Sequence, residues 1–393
     1  VWLKSSSPTS VQASCPTPRR MKLLVLACIP FLKVALCENT SSEEETSTTL
    51  APPEETPAQL AVAEENASNG SSNTTAVILP KYRPKYTRVA DVIETIWQRP
   101  PEGVVLMGVV MMAHACDRQA TDFWTEYLED GSVFEGCQAS YSGKCLGLPE
   151  ERLFVKNTRE RGYLVIAIGA GSGPKACWDK RTDPGRVRRA INWVLKEERL
   201  RKETPVFAAG AGTGGGFLAD VVESGLVKNL VCMASICGSI DLPRKIRMVP
   251  GVFVHMIEDK ASDIEKNVRG LRGNGVPSKL LTAKPRKVNH ELLNRTMTND
   301  EATNVIQALR DGEIIDGFGY LKGDPKATYW QYKVMKVYPT PPNTDTLREG
   351  ESGLYELLNV AYAKKEFTSQ YTHEILDFCE QVTEDAEAAK QEL

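Results

Sequence analysis

Apolar and polar positions divide the chain into three stretches. The first 20 residues are rich in Ser, Pro and Arg and have no apolar period. From Met21 a basic start at Lys22 runs into an apolar stretch over 23–32 and leaves through Ala35, Leu36 and Cys37. Residues 38–85 are mostly Ser, Thr, Glu, Ala, Asn and Pro, with few large apolar groups. From 86 to 385 the pattern changes again. Continuous apolar runs at 104–112, 162–168, 205–209, 230–234 and 252–256 predict strands buried on both faces. Between them the spacing becomes helical. Asp183 followed by Pro184 predicts a capped helix start, with Val187, Ile191, Val194 and Leu195 on one face. A second helix is predicted through Phe217, Leu218, Ala219, Val221 and Val222. A third carries Ile375, Leu376, Phe378, Cys379 and Val382 and frays into an acidic tail, 386–393. Strands alternating with helices predict an α/β fold, a mostly parallel sheet covered on both faces. Sites in such sheets lie beyond the carboxyl ends of the strands.

Composition and charge narrow the function. The chain has 393 residues, 41% hydrophobic and 25% charged, with 48 Lys+Arg against 51 Asp+Glu and a net charge of −3. This balance excludes a nucleic-acid binder that works through a basic surface. The segments before 86 read as processing and linker. Residues 1–20 are expected to be an upstream leader or a fragment artefact, and 21–37 a secretory signal peptide. The apolar run is too short for a membrane span and Lys33 interrupts it, so no stable span is expected. Residues 38–85 cannot bury enough surface to order themselves and read as a disordered, glycosylated linker. Acceptor triplets begin at Asn39, Asn66, Asn69 and Asn73, with a further one at Asn294 in the body. The expected location is the secretory lumen or outside the cell. There some of the ten cysteines should pair. Cys116, Cys137, Cys145 and Cys177, near predicted loops, are the candidates, while Cys232 reads as a small core residue. The four histidines are scattered, so neither a metal nor a cofactor is expected. His114 and His255 read as hydrogen-bonded core groups, and His290 and His373 as surface.

The candidate chemistry lies in the turn Gly210-Ala211-Gly212-Thr213-Gly214-Gly215-Gly216 between a strand and a helix. A phosphate cradle would need a Lys in register, and none follows. A dinucleotide fingerprint fits Gly210, Gly212 and Gly215 but falls mid-sheet without a ribose-binding acid. The third possibility is a nucleophile elbow, where glycines allow a sharp turn that lifts a nucleophile above the sheet.

Here the chain resembles a family of α/β-hydrolase-fold proteins common in plants and algae. The resemblance spans residues 90–385. It rests on His114-Ala115-Cys116, Asp122-Phe123-Trp124, Cys145 to Glu151, Arg161-Gly162-Tyr163, Cys177-Trp178, the 210–216 turn, His255-Met256 with Asp259, Gly319-Tyr320-Leu321 with Asp324-Pro325, and Leu358 to Ala363. It implies a serine-hydrolase site of nucleophile, acid and histidine in that order. Three positions depart from the family's pattern. Gly212 stands where it carries the nucleophilic Ser, followed by Thr213 where it carries a second Ser. Ala115 replaces a Gly and is expected to crowd the oxyanion loop. Lys365 stands at the position of the general base. Asp259 fills the acid position, with Glu258 as the alternative and a helix cap as its other reading. His373 is the alternative base, about 12 Å further along if the segment is helical. A hydroxyl nucleophile needs an adjacent base, and loss of the nucleophile alone costs about six orders of magnitude in a serine protease. The leading expectation is a secreted hydrolase-like protein without ordinary serine-hydrolase activity, binding a small-molecule or acyl or ester ligand in a retained pocket formed by His114, Ala115 and Thr213. One alternative is an esterase using Thr213 with Asp259 and Lys365 or His373. The other is a surface glycoprotein with no ligand pocket.

Overall fold

The computed structural model describes residues 83–391 except 117, 129–130, 172, 174–175, 242–247, 260–261 and 339–345. The leader, the signal segment, nearly all of the linker and the acceptors Asn39, Asn66, Asn69 and Asn73 lie outside the described residues. Eight strands form one sheet: β1 (Lys85–Val89), β2 (Ile93–Gln98), β3 (Gly108–Ala113), β4 (Tyr163–Ile168), β5 (Val206–Ala211), β6 (Leu230–Ile236), β7 (Gly251–Met256) and β8 (Ser278–Ala283). Their order is β1-β2-β4-β3-β5-β6-β7-β8. The β1/β2 and β2/β4 pairs are antiparallel and every other pair is parallel. The longer helices are α1 (Pro149–Glu160), α2 (Asp183–Glu197), α3 (Thr213–Ser224), α4 (Ser262–Gly273), α5 (Asn299–Asp311), α6 (Gly353–Tyr362) and α7 (Thr372–Gln391).

Alternation along the central strands assigns the two faces. Val110, Met112, Val165, Phe207 and Ala209 face α1 and α7 through Phe154, Val155, Ile375 and Leu376. Val109, Met111, Leu164, Ile166 and Ala208 face α2, α3 and α4 through Val187, Ile191, Leu218, Val221, Ile264 and Val268. This is the expected two-sided α/β sheet. A separate apolar cluster joins α5, Trp330 and α6 beside it.

The five predicted strands are all present, with one shifted. Residues 104–107 precede β3, and Val105 is 80% exposed. β3 pairs with β4 from Gly108↔Tyr163 and with β5 from Val109↔Val206. Ahead of those partners lie Gly162 and Pro205, and Pro205 has no N–H to give a ladder. Strands β1, β2 and β8 escaped the apolar-run criterion. All six residues of β2 are buried although Glu94, Thr95 and Gln98 are polar. The α2 start is displaced by one residue: Thr182 occupies the cap position and Asp183 is the first helical residue. Its carboxylate instead accepts from the Asp179 N–H at 2.8 Å. Helix α7 continues past 385 to Gln391.

Three disulfides brace this frame. Cys116–Cys177 and Cys137–Cys145 use the four cysteines expected to pair. The third, Cys232–Cys379, corrects the reading of Cys232 as a core thiol. Cys232 lies on the face that α7 covers, which brings the two Cα atoms to 5.6 Å across 147 residues of chain. No described helix is long and apolar enough to cross a membrane.

Candidate functional site

Strand β5 ends at Ala211 and α3 begins at Thr213, so Gly212 alone makes the reversal. Its φ of +52° and ψ of −115° lie where a side chain is strained and glycine is not. The Gly212 N–H donates to Ile236 O at 2.8 Å, and its carbonyl accepts from the Gly216 N–H at 3.0 Å. Gly214 is needed for a different reason. A Cβ there would run into the carbonyl oxygens of Ala113 and His114, so only glycine lets α3 press against the end of β3. The glycines therefore serve a sharp strand-to-helix turn rather than a phosphate. A mostly parallel eight-stranded sheet with an elbow directly after β5 decides the architecture. The chain has the α/β-hydrolase fold.

No family model matches the chain, and no curated protein matches it. Solved structures that it resembles include an α/β serine hydrolase without a lid from Xanthomonas campestris, 13% identical with a TM-score of 0.36 over 54% of this chain and 88% of that one. Others are an acylaminoacyl peptidase from Pyrococcus horikoshii (12%, 0.35, over 55% and 39%) and an esterase/lipase from an uncultured bacterium (11%, 0.35, over 52% and 74%). TM-scores this far below 0.5 add nothing to the assignment, which stands on the strand order and the turn.

Within this α/β-hydrolase fold the elbow lies over two adjoining cavities of about 570 and 650 Å³. Both are lined by Cys116, Gly212, Cys237, Asp259 and Lys365. These residues come from the carboxyl ends of β3, β5, β6 and β7 and from the loop between α6 and α7. The Glu258 N–H donates to Ala363 O at 3.1 Å, and the Cys237 thiol to Glu366 O at 3.1 Å, which seat that loop over the elbow. Lys365 consequently faces Gly212: its Cε lies 3.6 Å from where a Cβ on Gly212 would be. The nearest atom of Ala115, its Cβ, lies 3.7 Å from the same point, an ordinary contact.

The Thr213 side chain is exposed, and its Oγ1 accepts from the Cys116 N–H at 2.6 Å. That amide belongs to the loop after β3, which in this fold gives one oxyanion-hole donor. No His or Lys nitrogen bonds the hydroxyl among the described residues. His373 is not part of the site. It is exposed on α7, and the segment from Ala363 to Tyr371 is a loop rather than the helix assumed in counting turns from Lys365.

The other histidines are accounted for structurally. His114 is buried, with Nε2 accepting from the Ala170 N–H at 3.0 Å and Nδ1 bonded to Ala115 O at 2.7 Å. Nδ1 must then carry the proton, which makes the ring neutral, and burial pushes its pKa down to about 4. It supports the cavity wall: its carbonyl accepts from Trp178 Nε1 at 2.7 Å, Trp178 stacks on Phe217 at 4.4 Å, and Cys116–Cys177 ties the two loops together. His255 Nε2 meets Asp259 O at 2.9 Å, and exposed His290 meets Thr303 Oγ1 at 2.9 Å. Cys237 is the free cysteine among the described residues, and burial raises its pKa to about 12, so it stays a thiol. Asn294 is exposed at the end of the short helix His290–Leu293, its amide bonded to Asn299.

Sequence reasoning missed the polar floor of the larger cavity. Arg118 Nη2 pairs with Glu366 Oε1 at 3.1 Å, and Glu366 Oε2 accepts from Asn359 Nδ2 at 3.0 Å. Beside them Glu151 of α1 and Glu356 of α6 are buried close to each other, and burial raises both carboxyls. Glu151 and Asn359 lie in segments that carry the family resemblance, but only the fold brings α1 and α6 together.

Proposed function

We propose that this protein binds an acyl-bearing small molecule over the elbow without hydrolysing it. The observation that carries the reading is the apex itself. Gly212 holds the strained elbow conformation with no side chain, and Lys365, with its Cε 3.6 Å from where a Gly212 Cβ would be, is read here in place of a serine hydrolase's imidazole. Asp259, the acid candidate, lines the same cavity. Cavities of this size fall within the range of about 300–1,000 Å³ typical of small-molecule sites, which speaks against a surface glycoprotein whose pocket is filled. Lys365 makes no ion pair among the described residues, so its ammonium is available to an acyl oxygen or a carboxylate. Passage through the secretory route, with the first 37 residues as leader and signal, belongs to the same proposal. It is supported by three disulfides in one chain.

Steady-state hydrolysis of aryl esters tests the reading. The wild type and Thr213→Ala should both give rates equal to the buffer blank. Turnover by the wild type that disappears in Thr213→Ala would establish the rearranged esterase instead.

A further inference from the structure

A second cavity, separate from the elbow, lies between α1, the end of β2 and the loop after β3. Its volume is about 400 Å³. The wall is largely apolar and includes Trp124, Leu128, Leu153 and Val155, and Phe123 is the partition it shares with the larger elbow cavity. Its charged lining groups are Arg152, Lys156 and Arg295, all cationic. No carboxylate lines it among the described residues.

Two buried donors there lack partners. Gln98 is 3% exposed, and its Oε1 accepts from Trp124 Nε1 at 2.9 Å. An indole N–H can only donate, so the atom facing it must be the amide oxygen and the orientation of the amide is fixed. Nε2, with two hydrogens, is left buried and unbonded. Arg152 donates from Nη2 to Arg295 O at 2.5 Å, while its Nε is buried without an acceptor. Arg295 itself pairs with Glu150, outside the lining. Buried polar groups ordinarily find partners. Here two unfilled donors belong to side chains that line a greasy enclosure, and of the cations around it Lys156 pairs with Glu160 at 3.9 Å.

We infer that this cavity is a binding site for an apolar monocarboxylate, its chain against Phe123, Leu128 and Leu153 and its carboxylate taken by Gln98 Nε2 and Arg152. The inference is independent of the proposed function, because it concerns other residues and a ligand that need not be an ester.

Calorimetric titration of the full chain with decanoate and with decan-1-ol tests it. These probes share a chain and differ in the head group. The expected result is a decanoate site bound at least tenfold more tightly than the alcohol. Gln98→Leu and Arg152→Met should each weaken decanoate at least tenfold and leave the alcohol unchanged. Arg152→Met keeps the Gln98–Trp124 bond, so it serves if Gln98→Leu does not fold. Absence of decanoate binding, as in a cavity that holds only water, overturns the inference, as does equal affinity for acid and alcohol. So does loss of binding in Lys365→Met with none in Arg152→Met, which would locate the probe over the elbow.

Discussion

Gly212 shows how one residue can hold an elbow geometry with no side chain at its apex. The elbow conformation survives because it is set by the ends of β5 and α3 and by the bonds to Ile236 and Gly216, none of which needs a side chain. Space for one remains, since the nearest atoms to an added Cβ lie at 3.6 and 3.7 Å. Gly212→Ser should therefore fold. Its cost is the left-handed backbone, about 1–3 kcal/mol, read as a fall in stability by denaturant unfolding. It should gain no esterase turnover, because no imidazole faces the new hydroxyl. Destabilisation well beyond that range would mean that the site is tighter than its geometry implies. The departures at Gly212 and Lys365 were legible in the sequence because they depended only on which residue occupies a motif position, and the roles proposed for them rest on that reading. Cys116 capturing the Thr213 hydroxyl was not, since that bond joins residues 97 apart.

At the scale of elements, legibility followed burial pattern. Strands β3 to β7 were recognisable because a parallel strand covered on both faces reads as an unbroken apolar run. Strand β2 was not, because Thr95 is buried on a bond to Ile93 O and Glu94 and Gln98 are buried with polar partners supplied from distant segments. Tyr141 N–H, for example, donates to Glu94 at 3.0 Å. The carboxyl pair Glu151–Glu356 is a second non-local product, joining α1 to α6, and it links stability to pH. Both folded-state carboxyls are raised above the unfolded value of about 4.3. The folded state therefore holds protons that the unfolded state gives up. The contribution is complete below that value and is lost as pH rises through the folded-state values. Glu356→Gln keeps an acceptor for the Glu150 N–H and can donate to Glu151. The decline in melting temperature on raising pH above the carboxylate range should be shallower in this variant, and an unchanged slope would exclude the pair as its source. The Cys232–Cys379 bridge, also unread in the sequence, fastens α7 to β6. Replacing both cysteines by Ala should lower unfolding free energy by about 2–5 kcal/mol. An unchanged denaturation midpoint would show that α7 is held by its apolar face alone.

Over the whole molecule, the sheet order, the elbow and the cavities of an α/β-hydrolase fold are present. On the proposed reading, the apex at Gly212 lacks a nucleophile, and Lys365 of the loop from Ala363 to Tyr371 stands in for a proton acceptor of near-neutral pKa. Two separate enclosures, one over the elbow and one behind Phe123, suit a protein that holds acyl compounds rather than one that turns them over. The most direct measurement is the intact mass of the wild-type chain after exposure to a fluorophosphonate, which labels only an activated hydroxyl. The account requires the mass to stay unchanged; an adduct on the peptide containing Thr213 would contradict it.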